Sequence, residues 1–86
     1  MISMSHVVYI LYSETNDKYY VGCCSDMQIR LQQHNSGRNT STKSGLPWKI
    51  MYTESVDSLL QARRRELEIK KKKSRKYIEW LISSAG

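Results

Sequence analysis

The sequence predicts an α/β protein of the α+β kind, with element order β-β-α-β-α-α. Three observations carry that reading. Val7–Tyr12 and Tyr19–Gly22 are rich in β-branched and aromatic residues and enclose the turn formers Ser13-Glu14-Thr15-Asn16-Asp17-Lys18, a β-hairpin pattern. A third run of this kind, Trp48–Thr53, stands alone between polar stretches. Elsewhere apolar residues recur at helical spacing behind Ser or Asp caps.

In chain order, the hairpin comes first. Ser25 or Asp26 then caps a helix running to about Asn35, with Met27, Leu31 and His34 along one face and Gly37 as its stop. Residues 36–47 read as a mobile polar loop leading into the third strand. Ser55 or Asp57 caps a second helix to about Lys72, and Ser74 caps a third that carries Tyr77, Ile78, Leu81 and Ile82. A chain of 86 residues has room for one core, so one domain over 1–86 is expected.

Composition narrows the function classes. An apolar fraction of 40% with 26% charged residues fits a folded protein, and no apolar run is long enough to span a bilayer. Met1–Tyr12 lacks a basic leader and reads as a short alternating strand, so the cytoplasm is the expected location. Cys23 and Cys24 are adjacent and are the only cysteines, which excludes an ordinary disulfide framework. The net charge of +6 is confined to residues 58–86, which hold nine basic and three acidic side chains; residues 1–57 balance at five each. That asymmetry points to a polyanion such as nucleic acid, with Arg63, Arg64, Lys70, Lys73 and Lys76 as candidate contacts and Lys43 of the polar loop as a further one. A solvated helix face is the alternative.

Chemistry concentrates on the predicted helices and hairpin. Leu59, Ala62, Glu66 and Ile69 share a helical face, so Glu66 interrupts an apolar stripe. An inward carboxylate needs a partner: either an ion pair with Arg30 or a lysine, or a hard cation such as Mg²⁺ beside a phosphate. Glu68 faces the charged side among Arg64, Arg65, Lys71 and Lys72. Arg30 and His34 stand four apart on one face. Arg can clamp a phosphate and His can relay a proton, although such a pair also serves simply to cover a sheet. Tyr9 and Tyr20 lie on neighbouring strands, where a phenol can orient a water.

Taken together these positions resemble the GIY-YIG nuclease family. Val7-Val8-Tyr9, ten intervening residues and Tyr20-Val21-Gly22 look like its paired tripeptides. Arg30-x-x-x-His34, Thr42-Lys43 before Pro47-Trp48, and Ala62-x-x-x-Glu66-x-x-Ile69-Lys70 follow in the family's order, over about residues 7–82. The pattern is similar to small stand-alone bacterial members and to the N-terminal nuclease domain of the bacterial repair excinuclease.

The resemblance implies a small three-stranded, largely antiparallel sheet flanked by helices, and a metal-dependent endonuclease acting on DNA, with RNA not excluded. By the same resemblance Glu66 binds Mg²⁺ or Mn²⁺, and Arg30 stabilises the scissile phosphate. Tyr9 and Tyr20 position or activate water, His34 supports them, and Gly22 keeps the backbone open to substrate. Selectivity would come from substrate structure, a homodimer or a partner protein. The first tripeptide departs from Gly-Ile-Tyr but keeps its tyrosine. Lys70–Trp80 lacks the asparagine that several members carry beyond the glutamate, leaving Lys76 or Tyr77 in that region. Residues 44–46 make the loop less basic than in its relatives. A non-catalytic nucleic-acid-binding module is the alternative reading, with binding that survives loss of Glu66; a Lys-rich helix docked on an acidic protein is a third.

Overall fold

The computed structural model describes residues 6–40 and 42–85. Residues 1–5 of the expected amino-terminal alternation, and Ser41 of the expected loop, lie outside them. Strand β1, His6–Ser13, turns at residues 14–17 into β2, Lys18–Cys24. Helix α1, Met27–Asn35, follows, then β3, Trp48–Val56. Helices α2, Leu59–Lys72, and α3, Arg75–Ala85, complete the predicted order. The sheet is antiparallel throughout in the order β2-β1-β3. No helix among the described residues is long and apolar enough to cross a membrane.

Central β1 is covered on both faces, which explains its unbroken apolar run: Val8, Tyr9, Ile10 and Leu11 are all buried. Alternation splits its side chains between two cores. Val8 and Ile10 join Val21, Ala62, Ile69 and Leu81 under α2 and α3. Tyr9 and Leu11 join Cys24 and Trp48 on the opposite side, where Met27 and Leu31 of α1 pack.

In β3 the alternation has an interruption that the sequence conceals. Ile10 pairs with Tyr52 but Leu11 pairs with Ile50, leaving Met51 as an extra residue. Trp48 and Ile50 therefore enter the α1 core, whereas Tyr52 and Val56 enter the α2/α3 core. In a regular strand of the same length all four would share one face.

Two boundaries differ from expectation. Strand β3 runs to Val56, so neither Ser55 nor Asp57 caps α2; Ser58 does, with Oγ accepting from the Gln61 amide at 3.2 Å. Gln61 Oε1 in turn accepts from the Asp57 amide, closing a reciprocal cap. Asp26 caps α1 and Ser74 accepts from the Tyr77 amide of α3, as their positions suggest.

The polar stretch before β3 is tied down rather than loose. Lys43–Gly45 forms a single 3-10 turn, and Thr42 and Gly45 are buried. Trp48 Nε1 donates to the Thr42 carbonyl at 2.7 Å, and Asn35 both accepts from and donates to the Trp48 backbone. Gly45 is required there because a side chain would meet the Trp48 ring.

Candidate active site

The site assembles at the C-terminal end of β2, where consecutive residues point to opposite faces of the sheet. Gly22 and Cys24 face α1, and Cys23 faces α2. One strand end thus touches both helices that carry the candidate charged groups.

On the α1 side, Tyr9 and His34 form the centre. The Tyr9 hydroxyl and His34 Nε2 are 2.9 Å apart, and His34 Nδ1 lies 3.0 Å from Thr42 Oγ1. All three side chains are buried. His34 is the one hydrogen-bond partner of the Tyr9 hydroxyl among the described residues. A buried hydroxyl proton needs an acceptor, which assigns Tyr9 as donor to Nε2 and Nδ1–H as donor to Thr42. Burial, and next the Arg30 charge, hold the His34 imidazole below its ordinary pKa, so the ring is neutral and fits that assignment. Burial, with Tyr20 adding, drives the Tyr9 phenol well above its ordinary range, so it keeps its proton.

Tyr20 completes the cluster. Its ring meets His34 edge-on at 4.9 Å and stacks near Tyr9 at 6.5 Å, and Trp48 stands 6.2 Å away. It is half-buried, and its hydroxyl has no hydrogen-bond partner among the described residues. Gly22 lies opposite Tyr9 across the β1–β2 pair. The space a side chain would occupy there is filled by the Tyr9 phenol, so the glycine makes room for Tyr9 rather than for substrate.

Arg30 and Glu66 flank this cluster from opposite faces. Arg30 lines a shallow depression with Cys24, Ser25, Asp26, Ile29 and Gln33, and lies close enough to Tyr9 to pull its phenol pKa down. Glu66 lies close enough to push it up. Burial foremost, and then the Glu66 carboxylate nearby, push the Cys23 thiol up to about 11. Of the two sequence alternatives for the Glu66 ion pair, the partner is a lysine: Lys70 Nζ donates to Oε2 at 2.5 Å. Glu66 remains partly exposed.

The remaining basic candidates are exposed, and among them Arg63 lies close enough to the Cys23 thiol to draw its pKa down. Arg63, Arg64, Lys73 and Lys76 are exposed on α2, at its end and on α3, and Lys43 is exposed on the α1 side. Arg65 is committed to structure: it bridges Glu54, Glu68 and the Tyr77 hydroxyl. Thr42 went unrecognised as a site residue. Its polar surroundings concealed that it is buried, and only its place before Trp48 hinted at a role.

A divalent cation fits the donor set at Glu66. No group of three or more His, Cys, Asp or Glu among the described residues builds a protein cage. Mg²⁺ does not need one: it is held by one or two carboxylates, waters and substrate phosphates. Glu66 offers hard oxygens at a partly exposed position.

Comparisons with known proteins bear on the family and the fold. The family described as the GIY-YIG catalytic domain matches residues 5–78. A UPF0213 protein of Syntrophus aciditrophicus is 46% identical over 67 residues, covering 74% of this chain and 75% of its own. One from Streptococcus pneumoniae is 36% identical over 80 residues, covering 91% and 81%. The solution NMR structure of a UPF0213 protein from Bacillus halodurans superposes with a TM-score of 0.60 at 33% identity, over 96% of this chain and 87% of that one. The chain belongs to the GIY-YIG nuclease family.

Proposed function

We propose that the protein is a metal-dependent endonuclease that hydrolyses phosphodiester bonds in DNA. The observation that carries this reading is the convergence on one strand end: Arg30 from one face, Glu66 from the other, and the Tyr9–Tyr20–His34 cluster close by.

Arg30 binds the non-bridging oxygens of the phosphate and balances the charge that gathers there. Glu66 would hold Mg²⁺ or Mn²⁺ in place of its Lys70 ion pair, and the bound cation would supply Lewis-acid polarisation of the phosphate. The two phenols divide the remaining work. Tyr9, its proton held on His34, acts as a fixed support, and Thr42 fixes His34 in turn. Tyr20, with its hydroxyl unengaged among the described residues, orients the attacking water. Arg63, Arg64 and Lys76 hold the flanking backbone, which gives affinity without sequence information. Selectivity then comes from substrate structure, from a second copy or from a partner protein.

The test is incubation of the purified chain with flapped, branched and plain duplex DNA, with Mg²⁺ or Mn²⁺ and with chelator. Wild type should cut at least one substrate only when metal is present, and Glu66→Gln and Arg30→Ala should cut none. Binding by wild type and Glu66→Gln with equal inertness towards every substrate would overturn the reading.

A further inference from the structure

Beside the candidate active site, between the outer edge of β2 and the α2–α3 corner, lies a groove of about 410 Å³. Its floor is apolar, made by Tyr19, Val21, Ile69 and Ile78. Its rim is basic, with Lys18, Lys70, Lys73 and Arg75. Asp17 also lines it, but Arg75 Nη2 meets that carboxylate at 2.6 Å while the guanidinium covers the Tyr19 ring at 5.1 Å. Lys18 and Lys73 have no ion-pair partner among the described residues. Lys70 joins groove to site, since its Nζ is bound to Glu66. From Glu66 to Lys73 the helix advances about 10 Å, so the groove leads directly away from the proposed cation ligand.

We infer that this groove takes an unpaired DNA strand running from the cut phosphate, so that the substrate carries single-stranded DNA next to the cleavage point. The inference rests on the nuclease reading for where the cut lies. Charge complementarity selects a polyanion, and the floor selects among polyanions. Duplex DNA keeps its bases stacked inside and would leave Tyr19 and Ile78 wet, whereas an unpaired strand offers base faces that gain from apolar and aromatic contact. The volume falls in the range of sites that enclose small ligands of nucleotide size. Lys73 adds an independent sign. It ends α2 with φ of 47°, a left-handed conformation where glycine is the usual residue. A lysine there costs stability and projects a cation at the groove rim.

The experiment measures binding in chelator by fluorescence anisotropy. The probes are labelled oligothymidylate, oligouridylate of equal length and a blunt duplex of equal length. Wild type should bind oligothymidylate most tightly. Lys73→Gly should weaken that binding about threefold, and Lys18→Ala/Lys73→Gly about tenfold, with the slope of log affinity against log salt shallower by about 1.4. Lys73→Gly should also raise the denaturation midpoint, which excludes misfolding as the cause. Arg38→Ala, a loss of charge beside α1, should leave oligothymidylate binding within a factor of about two.

Equal affinity for duplex, tighter binding of oligouridylate, unchanged binding in the groove variants, or an equal loss in Arg38→Ala would each overturn the proposal. Cleavage is scored separately with metal restored. The predicted binding pattern without any cutting would sink the nuclease reading, and cutting without the binding pattern would sink the groove alone.

Discussion

The Tyr9 hydroxyl lies 2.5 Å from the point where a Gly22 Cβ would stand, and its Cζ 2.6 Å from the same point. The two residues are register partners across the β1–β2 pair, so the absence of one side chain is what lets the other lie flat against the neighbouring strand. Gly22→Ala should therefore destabilise by about 1–3 kcal/mol, because the buried ring has nowhere to shift. Urea denaturation would measure this. A variant as stable as wild type would mean that the ring relocates freely.

The buried bond from Tyr9 to His34 makes stability depend on pH. In the unfolded chain the imidazole titrates near about 6.5, and burial lowers the folded value. Between the two values the unfolded chain holds more protons, so stability is full above about pH 6.5 and falls as the solution is acidified through that window. Glu14 and Asp17, held below the ordinary carboxylate range by Lys49 and Arg75, stay ionised there. Denaturation midpoints of wild type should drop between about pH 7.5 and about pH 5.5, while those of His34→Gln should stay nearly level.

The division of labour between the phenols separates two variants. Tyr9→Phe leaves the His34 acceptor buried without a donor and should cost about 1–3 kcal/mol of stability. Tyr20→Phe should leave stability within about 0.5 kcal/mol and lower the cleavage rate by about a hundredfold or more. Thermal melts paired with single-turnover rates would decide, and the reverse pattern would exchange the two roles.

Lys70 occupies the carboxylate proposed to hold the cation. Removing it in Lys70→Ala should tighten Mn²⁺ binding by about two- to fivefold, the scale of a partly exposed ion pair. Glu66→Gln should abolish the site. Free Mn²⁺ counted by electron paramagnetic resonance reads both, and identical titrations of all three proteins would place the cation elsewhere.

Arg64 and Arg65 are neighbours with different work. Arg65 is mostly buried and links β3 to α2 and α3 through Glu54, Glu68 and Tyr77. Arg65→Ala should cost about 1–3 kcal/mol by stranding Glu54. Arg64→Ala, at an exposed position, should leave stability within about 0.5 kcal/mol yet weaken DNA binding in a salt-sensitive manner.

Much of the architecture was legible in the chain because local signals agreed. The hairpin turn, the Asp26 and Ser74 caps and the Gly37 stop are short-range features, and Gly37 takes φ of 81°. Ser58 lost to Ser55 and Asp57 as a cap because three candidates crowd the same stretch; the deciding signal was Gln61 three residues on. Glu66 stands out in the sequence by breaking an apolar stripe, but helical spacing alone does not choose between Arg30 and a lysine as its partner, and the structure pairs it with Lys70. Thr42 was invisible because nothing local to a run of Ser, Thr and Asn says that one hydroxyl lies beneath an imidazole. Its burial is decided by Trp48, six residues away, and by a helix on the far side of the loop.

Met51 imposes a requirement of count rather than of chemistry. Two-fifths exposed, it can be exchanged for many residues, but the offset it creates sets the facing of the strand: pairing Leu11 with Met51 in a regular strand of the same length would turn Trp48 and Ile50 to the α2/α3 side of the sheet. Trp48 carries the Thr42 carbonyl, Thr42 carries His34, and His34 holds Tyr9. The placement of Tyr9 thus depends on the parity of β3: loss of Met51 would only make the ladder continuous, whereas loss of Lys49 would put Trp48 and Ile50 on opposite faces of the sheet, a distinction that substitution scanning at either position would miss.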